Sequence, residues 1–563
     1  MALTDFDRRG ISFPRPLPLI DGAVPPHRVA RADAGTIVWA VDAGGEVTLT
    51  LASDRNAARI DLAADGVAGP LASLGLRFDG IAGIRQYLRN GYQSWDGSYF
   101  VTPGRPPGDG PPAKAPTLGF AMTALLPVGE GAVVIGADRH DRFQTRLHFG
   151  GDANAMTLDV ETLLDRAGET RAESLYLFDG DTVEETLRRW SRRVAATAPT
   201  PPRLPERLTG WCSWYNLYAA IDEPIILEHL AAAKTFRDAH AVPLDIFQID
   251  DGFTPEIGDW LDVKTQFPRG MAPLLADVAA AGFRPGLWIA PFLVGNRSKL
   301  FAAHPDWIVT DAATDGPLIA MHFYGEFRWH KRSEEYYVLD VTHPDAAAYV
   351  STVFRTWVEW GARYIKADFL LHGMEYGPDR ARWHESGLSR VAIWRRMMTL
   401  IRDAVGVDVI VSGCGCPLWA SVGLVDAVRI GRDVGVTWHG DYSAESLLRD
   451  LQSRNHANGV LWQADPDCIL LRDRFHEMTD AQVEALARFA GSAGGVTMTS
   501  DKLDELRPDR AALFAEILRA PVTGCDFPDL GKDTAAIVQR VRSGDATIAV
   551  NRFDLNAIER EGR

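Results

Sequence analysis

A chain of 563 residues is too long for one hydrophobic core, and 46% hydrophobic with 24% charged residues is the composition of a folded protein rather than a disordered one. A net charge of −16 argues against nucleic acid and anionic membrane surfaces as partners, since both are met with basic surface. The N-terminal stretch carries Asp5, Asp7, Arg8 and Arg9 without an apolar run of signal length, no segment approaches the ~20 apolar residues of a membrane-spanning helix, and the five cysteines form no C-x-x-C pair, so we expect a cytoplasmic protein with reduced thiols, no disulfide framework and no zinc site.

From the N-terminus to about residue 180 the apolar pattern has period two, as in TIVWAVDAGGEVTLTLASD (36–54) and AMTLDVETLL (155–164), which predicts an antiparallel β-sandwich. The Pro/Gly-rich stretch 102–117 interrupts it as a loop. A helix over 182–195 follows, and the prolines of ATAPTPPRLP then mark a boundary near 205. Beyond it, short apolar runs alternate with helical segments, the pattern of a parallel sheet built from βα units. Eight candidate strands, at 208–215, 244–250, 284–292, 362–370, 407–415, 426–433, 461–465 and 496–501, predict a (β/α)₈ TIM barrel, with YYVLD (336–340) as a possible ninth strand outside it. Helices are expected at 225–240, 271–282, 344–361, 479–494 and near 508–520. Alternation returns over 534–551 with a turn at Ser543-Gly544-Asp545, so the expected division is 1–205 β-sandwich with linker helix, 206–520 barrel and 521–563 small β domain.

A barrel of this kind places its chemistry at the C-terminal ends of its strands. Those ends carry Trp214 and Tyr215, Asp250 and Asp251, Trp288, Lys366 and Asp368, Cys414, Arg429 and Asp433, Asp465 and Asp467. Lys366 and Asp368 alternate onto one side of their strand, and a lysine so close favours the ionised carboxylate that a nucleophile needs; a buried ion pair holding the barrel is the structural alternative. Asp433 is followed by apolar residues that would desolvate its carboxyl, as suits a general acid, with Arg429 and Arg432 pulling the other way. Asp250 and Asp251 form an adjacent pair that demands donors, and sugar hydroxyls are such donors; a helix-capping turn is the bland alternative, and metal ligation is disfavoured by the absence of H-x-H or H-E-x-x-H spacing. Trp214, Tyr215, Trp288 and Trp95 are candidate walls for a pyranose ring, although each taken singly is more often core than site. Cys414 is brought to the mouth by the fifth strand, although such a cysteine is more often a small core residue.

The ordered segments NGYQSW (90–95), GWCSWY (210–215), FQIDDG (247–252), IGDWL (257–261), PGLWIAPF (285–292), HPDW (304–307), YIKADF (364–369), GCG (413–415) and RIGRD (429–433) resemble the α-galactosidases of glycoside hydrolase family 36, the melibiase-like enzymes. The resemblance implies Asp368 as nucleophile and Asp433 as acid/base of a retaining, exo-acting enzyme without a cofactor. It implies Asp250 and Asp251 on the galactose O4 and O6 hydroxyls, Lys366 and Arg429 on ring hydroxyls, Cys414 near the C2 substituent, and Trp214, Tyr215, Trp288 and Trp95 lining the pocket. Ala367 and the Arg432-Asp433 pair stand where larger members carry a bulky aromatic and a Ser-Asp pair, which suggests the compact branch. The expected partner is an α-galactoside, and the oligomeric state is left open. Three alternatives stand beside this expectation: an α-galactosyltransferase of the raffinose-synthase type, a retaining α-glycosidase for another glycone such as α-N-acetylgalactosamine, and a catalytically silent carbohydrate-binding protein. The presence of both Asp368 and Asp433 opposes the last. The stretch 310–335, with His322, Tyr324, Trp329 and His330, is a candidate for the leaving-group side.

Overall fold

The computed structural model describes residues 6–54, 57–104, 117–322, 331, 333–435, 437–440, 443–474, 476–534 and 536–560. Most of the Pro/Gly-rich stretch at 102–117, and Tyr324, Trp329 and His330, lie outside them.

The first part holds two antiparallel sheets, one of nine strands and one of five. Their pairing follows from the sequence pattern: in Thr36–Val41 every second residue is buried, so Ile37, Trp39 and Val41 face inward while their neighbours lean outward. Gly45, at φ +83°, sits in the turn before the next strand, Glu46–Asp54, where a Cβ would come within 2.4 Å of the Gly66 backbone. Trp39, Leu49 and Ile135 from the larger sheet share one apolar core with Leu76, Phe78, Leu147 and Val160 from the smaller, so the sheets pack face to face. The helix Val183–Thr197 starts where the Thr182 side chain accepts the Glu185 N–H. Its Trp190 indole donates to the Ala137 carbonyl (2.8 Å), and its Ser191 meets His456 (2.7 Å), which ties the β part to the centre of the molecule.

The central sheet is parallel throughout and runs Gln463–Asp465, Ala427–Arg429, Ile410–Gly413, Tyr364–Ala367, Arg284–Ile289, Ile246–Ile249, Leu208–Cys212, Val496–Thr499, Cys468–Ile469. The two segments at its ends are separated in the chain only by Pro466 and Asp467, so the sheet curls round until its edges meet. This TIM-like curl accounts for the run of buried residues on each strand, for instance all five of Leu208–Cys212: both faces are covered, and period-two alternation disappears. Every candidate strand falls on an observed one, with the seventh divided in two. Glu335–Val338 lies outside, as the middle strand of an antiparallel sheet with Leu293–Gly295 and Ile319–His322. Asp222, Ser389 and Thr479 cap the helices that begin at Glu223, Arg390 and Asp480. The chain then forms a three-stranded antiparallel sheet of Gly524–Asp526, Ala536–Ser543 and Ala546–Asp554, whose first strand was not foreseen. Among the described residues no helix is long and apolar enough to cross a membrane.

Candidate active site

The ends of the central strands converge on a group of charged residues. Just past the second strand, Asp250 is buried and its Oδ2 receives Lys366 Nζ (2.9 Å) and Gln248 Nε2 (2.8 Å), while Oδ1 receives the Asp251 N–H (2.9 Å). Its own N–H donates to Ser213 Oγ (2.8 Å), which locks the second strand end to the first. Asp251 has a separate cation, Lys331, whose Nζ stands 3.0 Å from Oδ1 but is directed at the Thr254 carbonyl (2.8 Å). Neither Asp251 oxygen receives a directed hydrogen bond from a described residue, although both are buried. Burial raises the Asp251 pKa, with Lys331 opposing. The adjacent acidic pair is therefore not the unbridged one that the sequence suggested, because each carboxylate has its own lysine. Asp250 Oδ1 has one directed donor and Asp251 has the Lys331 ammonium beside it, so both carboxylates keep acceptor capacity for a ligand hydroxyl.

The buried ion pair of Lys366 with Asp368 that stood as the structural alternative does not form. The strand ends at Ala367, and the Lys366 ammonium is taken by Asp250, 116 residues away in the chain. Asp368 is held by other donors: Trp288 Nε1 to Oδ2 (3.0 Å) and the Phe369 N–H to Oδ1 (2.7 Å). Phe369 has φ +53°, a left-handed conformation uncommon for a bulky residue, and it follows directly on the carboxylate that its N–H meets. The pKa of Asp368 is raised, foremost by burial and in a smaller measure by the charge of Asp433; Lys366, the Cys414 thiol and the Trp288 indole pull it down. Lys366 thus acts in the expected direction and is outweighed by desolvation. Burial and the Asp368 charge keep the Cys414 thiol protonated, hence a donor.

Asp433 differs from Asp368 in its exposure and in its partner. Its side chain is 43% exposed, and Oδ1 accepts Arg429 Nη1 (3.0 Å). The desolvation suggested by its apolar neighbours is absent, because Val434 turns into the core while the carboxylate faces out. Arg429 is buried and shared: its Nη2 donates to Asp467 Oδ1 (2.8 Å). Asp467 Oδ2 accepts the Val434 N–H (2.8 Å) and the Tyr215 hydroxyl.

The aromatic candidates separate into two groups. Trp288 and Tyr215 are buried and bonded to site carboxylates. The Trp95 indole packs edge-on against Phe369 (5.3 Å between centroids), and its far edge lies 2.8 Å from where a Cβ on Gly415 would be, so it reaches the mouth from the N-terminal part. Trp214 begins a one-turn helix and packs edge-on against Tyr218 (5.3 Å); among the described residues no hydrogen bond or ring contact joins it to the site carboxylates.

Sequence reasoning missed two residues here, Lys331 and Arg454, and gave a third, Asp467, no role. Lys331 lies in a segment without regular pattern, and only its contact with Asp251 reveals it. Asp467 was noticed at a strand end without a role. Arg454 is fully buried on the helix Ala444–Arg454 and clamps the loop that carries Trp95: Nε donates to Ser98 Oγ (3.0 Å), Nη1 to the Ser94 carbonyl (2.8 Å) and to that of Ile430, and Nη2 to that of Asp96. Its partners are more than 350 residues away except Ile430, so no local pattern marks it. Among the described residues no group of three or more His, Cys, Asp or Glu is placed to hold a metal ion.

Residues 214–402 match the Melibiase family model, a span that includes Asp250, Asp251, Lys366 and Asp368 and ends before Asp433. The α-galactosidase of Escherichia coli is 29% identical over 139 residues, which is 23% of this chain and 18% of that protein. α-Galactosidase AgaA of Geobacillus stearothermophilus is 27% identical over 159 residues, 26% of this chain and 20% of that protein. The aligned stretch thus spans only about a fifth of these curated relatives. Among solved structures the fold resembles that of the α-galactosidase TtGalA from Thermus thermophilus in complex with p-nitrophenyl α-D-galactopyranoside, with TM-score 0.69 and 25% identity over 91% of this chain and 98% of that one. The crystal structure of the family 36 enzyme AgaA gives TM-score 0.62 at 15% identity, covering 95% of this chain and 77% of that one, a likeness of fold.

Proposed function

We propose that this chain, a relative of the family 36 α-galactosidases, which are glycoside hydrolases, is a retaining, exo-acting α-galactosidase working by double displacement. The observation that carries the reading is the contrast between two carboxylates at one mouth. Asp368 is buried and held by two N–H donors, whereas Asp433 is half-exposed beside a buried arginine. A nucleophile has to be fixed and aimed, and its N–H donors stabilise the charge it attacks with. An acid/base exchanges protons with a leaving group and then with water, and needs access to both.

In this reading Asp368 attacks the anomeric carbon of a terminal α-galactosyl residue, while Asp433 gives its proton to the departing glycosidic oxygen. The β-galactosyl-Asp368 ester is then attacked by a water whose proton passes to Asp433, which restores both groups and releases galactose with its α configuration. Asp251, with both oxygens free of directed donors, and Asp250 beside it hold sugar hydroxyls, with Lys366 and Arg429 on further ring hydroxyls, Cys414 near C2, and Trp95, Trp288, Tyr215 and Trp214 around the ring. The catalytic unit is 206–520, flanked by 1–205 and 521–563. The substrate side is supported by TtGalA, a neighbour solved with p-nitrophenyl α-galactoside and with stachyose.

The test is a panel of p-nitrophenyl glycosides, with free sugar measured in the presence and absence of a sugar acceptor. Release of free galactose from the α-galactoside, seen first as the α-anomer by NMR, is expected. Turnover confined to α-N-acetylgalactosaminide or a pentopyranoside, or galactose passing wholly to the acceptor, contradicts it.

A further inference from the structure

We infer that Asp467 is the positioning residue that keeps the proton on Asp433, by drawing off the charge of Arg429; this rests on the reading of Asp433 as acid/base. A general acid beside an arginine is a poor acid, because a cation at hydrogen-bond distance favours the ionised carboxylate. Arg429 stands in that place, with Nη1 3.0 Å from Asp433 Oδ1. Its other terminal nitrogen is bound to Asp467 Oδ1 at 2.8 Å, and this second partner is buried where the first is exposed. In a water-poor setting the buried pairing is the stronger one, so the guanidinium charge goes chiefly to Asp467. The negative charge of Asp467 also opposes a second negative charge on Asp433.

The local backbone is built for this contact. Asp467 interrupts the seventh strand between Gln463–Asp465 and Cys468–Ile469 with φ +80°, in the left-handed region, and its N–H is fixed on Asp465 Oδ1 (2.8 Å). Its carboxylate receives four donors: Arg429 and the Cys468 N–H (2.8 Å) on Oδ1, the Tyr215 hydroxyl and the Val434 N–H (2.8 Å) on Oδ2. Val434 is the residue after Asp433, so the same carboxylate fixes the backbone from which the acid/base projects. The other charged and titratable groups facing this pair are Asp465 on the same strand, whose Oδ2 is 3.8 Å from Arg429 Nε, Lys366 and Asp368 from the fourth strand, Cys414 from the fifth, and Tyr215 and Cys468 beside Asp467. Burial pushes the Asp467 pKa up to about 6, with Arg429 opposing and Asp433 and Asp465 adding to the rise.

The experiment is the pH profile of kcat/KM for wild type and Asp467→Asn on two α-galactosides, methyl α-galactoside, whose alkoxide needs protonation, and 2,4-dinitrophenyl α-galactoside, which departs without it. Wild-type hydrolysis of both comes first; if it is absent, the proposed function fails and this inference is not what has failed. Given wild-type activity, the basic limb of the Asn variant on methyl α-galactoside is expected about one pH unit lower, an about tenfold loss above the limb that vanishes below it. The acidic limb and the dinitrophenyl rate are expected to stay within about threefold of wild type. A loss equal at all pH values and on both substrates, or an unmoved basic limb, overturns the inference. Should the Asn variant not fold, Tyr215→Phe serves instead, for it removes one donor from Asp467 and leaves more of its charge to Arg429. Its basic limb is expected at wild-type pH or higher, and a limb moved to lower pH overturns the inference equally.

Discussion

Asp368 is an acid whose proton affinity is raised by burial, and the proposed attack needs its ionised form, so activity falls as pH falls through a value above that of an ordinary aspartate. The acidic limb of kcat/KM is expected above the usual carboxylate range. Trp288→Phe removes an N–H that favours the charged form, so that limb should move up by about one to two units, since a bond to a charged group is worth ~1.5–3 kcal/mol. An unmoved limb in the variant means that the indole does not serve the carboxylate in solution. Asp251 supports a different expectation. Among the described residues only the Lys331 ammonium stands near its oxygens, so Asp251→Asn loses a charge-assisted bond to a sugar hydroxyl, lowering kcat/KM by roughly tenfold to a hundredfold, and leaves Lys331 without its counter-charge, lowering Tm as well. Kinetics equal to wild type would remove it from the pocket.

At the scale of elements, the loop 90–98 is held at the mouth by the helix Ala444–Arg454 together with the backbone of Cys416 and Leu418. Arg454 donates to Ser98, Ser94 and Asp96, Asp450 Oδ1 accepts the Ser98 N–H (3.0 Å), and Arg89 pairs with Asp96 (2.6 Å). Arg454→Met strips buried carbonyls of their donor, each at a cost of ~1–3 kcal/mol, and frees Trp95 from its place against Phe369. We expect a lowered Tm and a raised KM for α-galactosides. In a double-mutant cycle with Trp95→Ala the two KM effects should not add, because the second change removes what the first has already displaced. Additive effects would mean that the clamp serves stability alone. This coupling shows where sequence reading stops. NGYQSW was recognisable as a motif, whereas its clamp is one arginine on an amphipathic helix, chemically like any other until the chain folds. Strand positions were legible because doubly buried parallel strands are short apolar runs between helices, and local composition records that. Lys366 was legible in its effect on Asp368, which it pulls towards the charged form, but not in its ion pair, because the nearer acceptor in space, Asp250, comes from another strand.

Over the whole molecule, the sequence marked the β part, the strands of the central parallel sheet and two of the three closing β strands, since each shift of period is written locally. The division of the seventh strand, Lys331 beside Asp251, and the exposure of Asp433 were not legible, because they depend on how the sheet closes and which side chains meet across it. One expectation concerns the holoprotein as it is purified. The proposed steps use two carboxylates and water, and activity should be indifferent to EDTA; a loss restored by a divalent cation would contradict the two-carboxylate mechanism.

The division of roles between Asp368 and Asp433 is decided by the stereochemistry of azide rescue. In Asp368→Ala the vacated space admits azide, which attacks an activated α-galactoside once and gives the β-galactosyl azide by a single inversion. In Asp433→Ala an activated substrate still forms the galactosyl-enzyme, and azide attacking that intermediate gives the α-galactosyl azide by two inversions. β from Asp368→Ala and α from Asp433→Ala is the predicted result. The opposite pair of anomers would show the roles reversed, and the absence of any azide product from both variants, each folded as wild type, would contradict the double displacement itself.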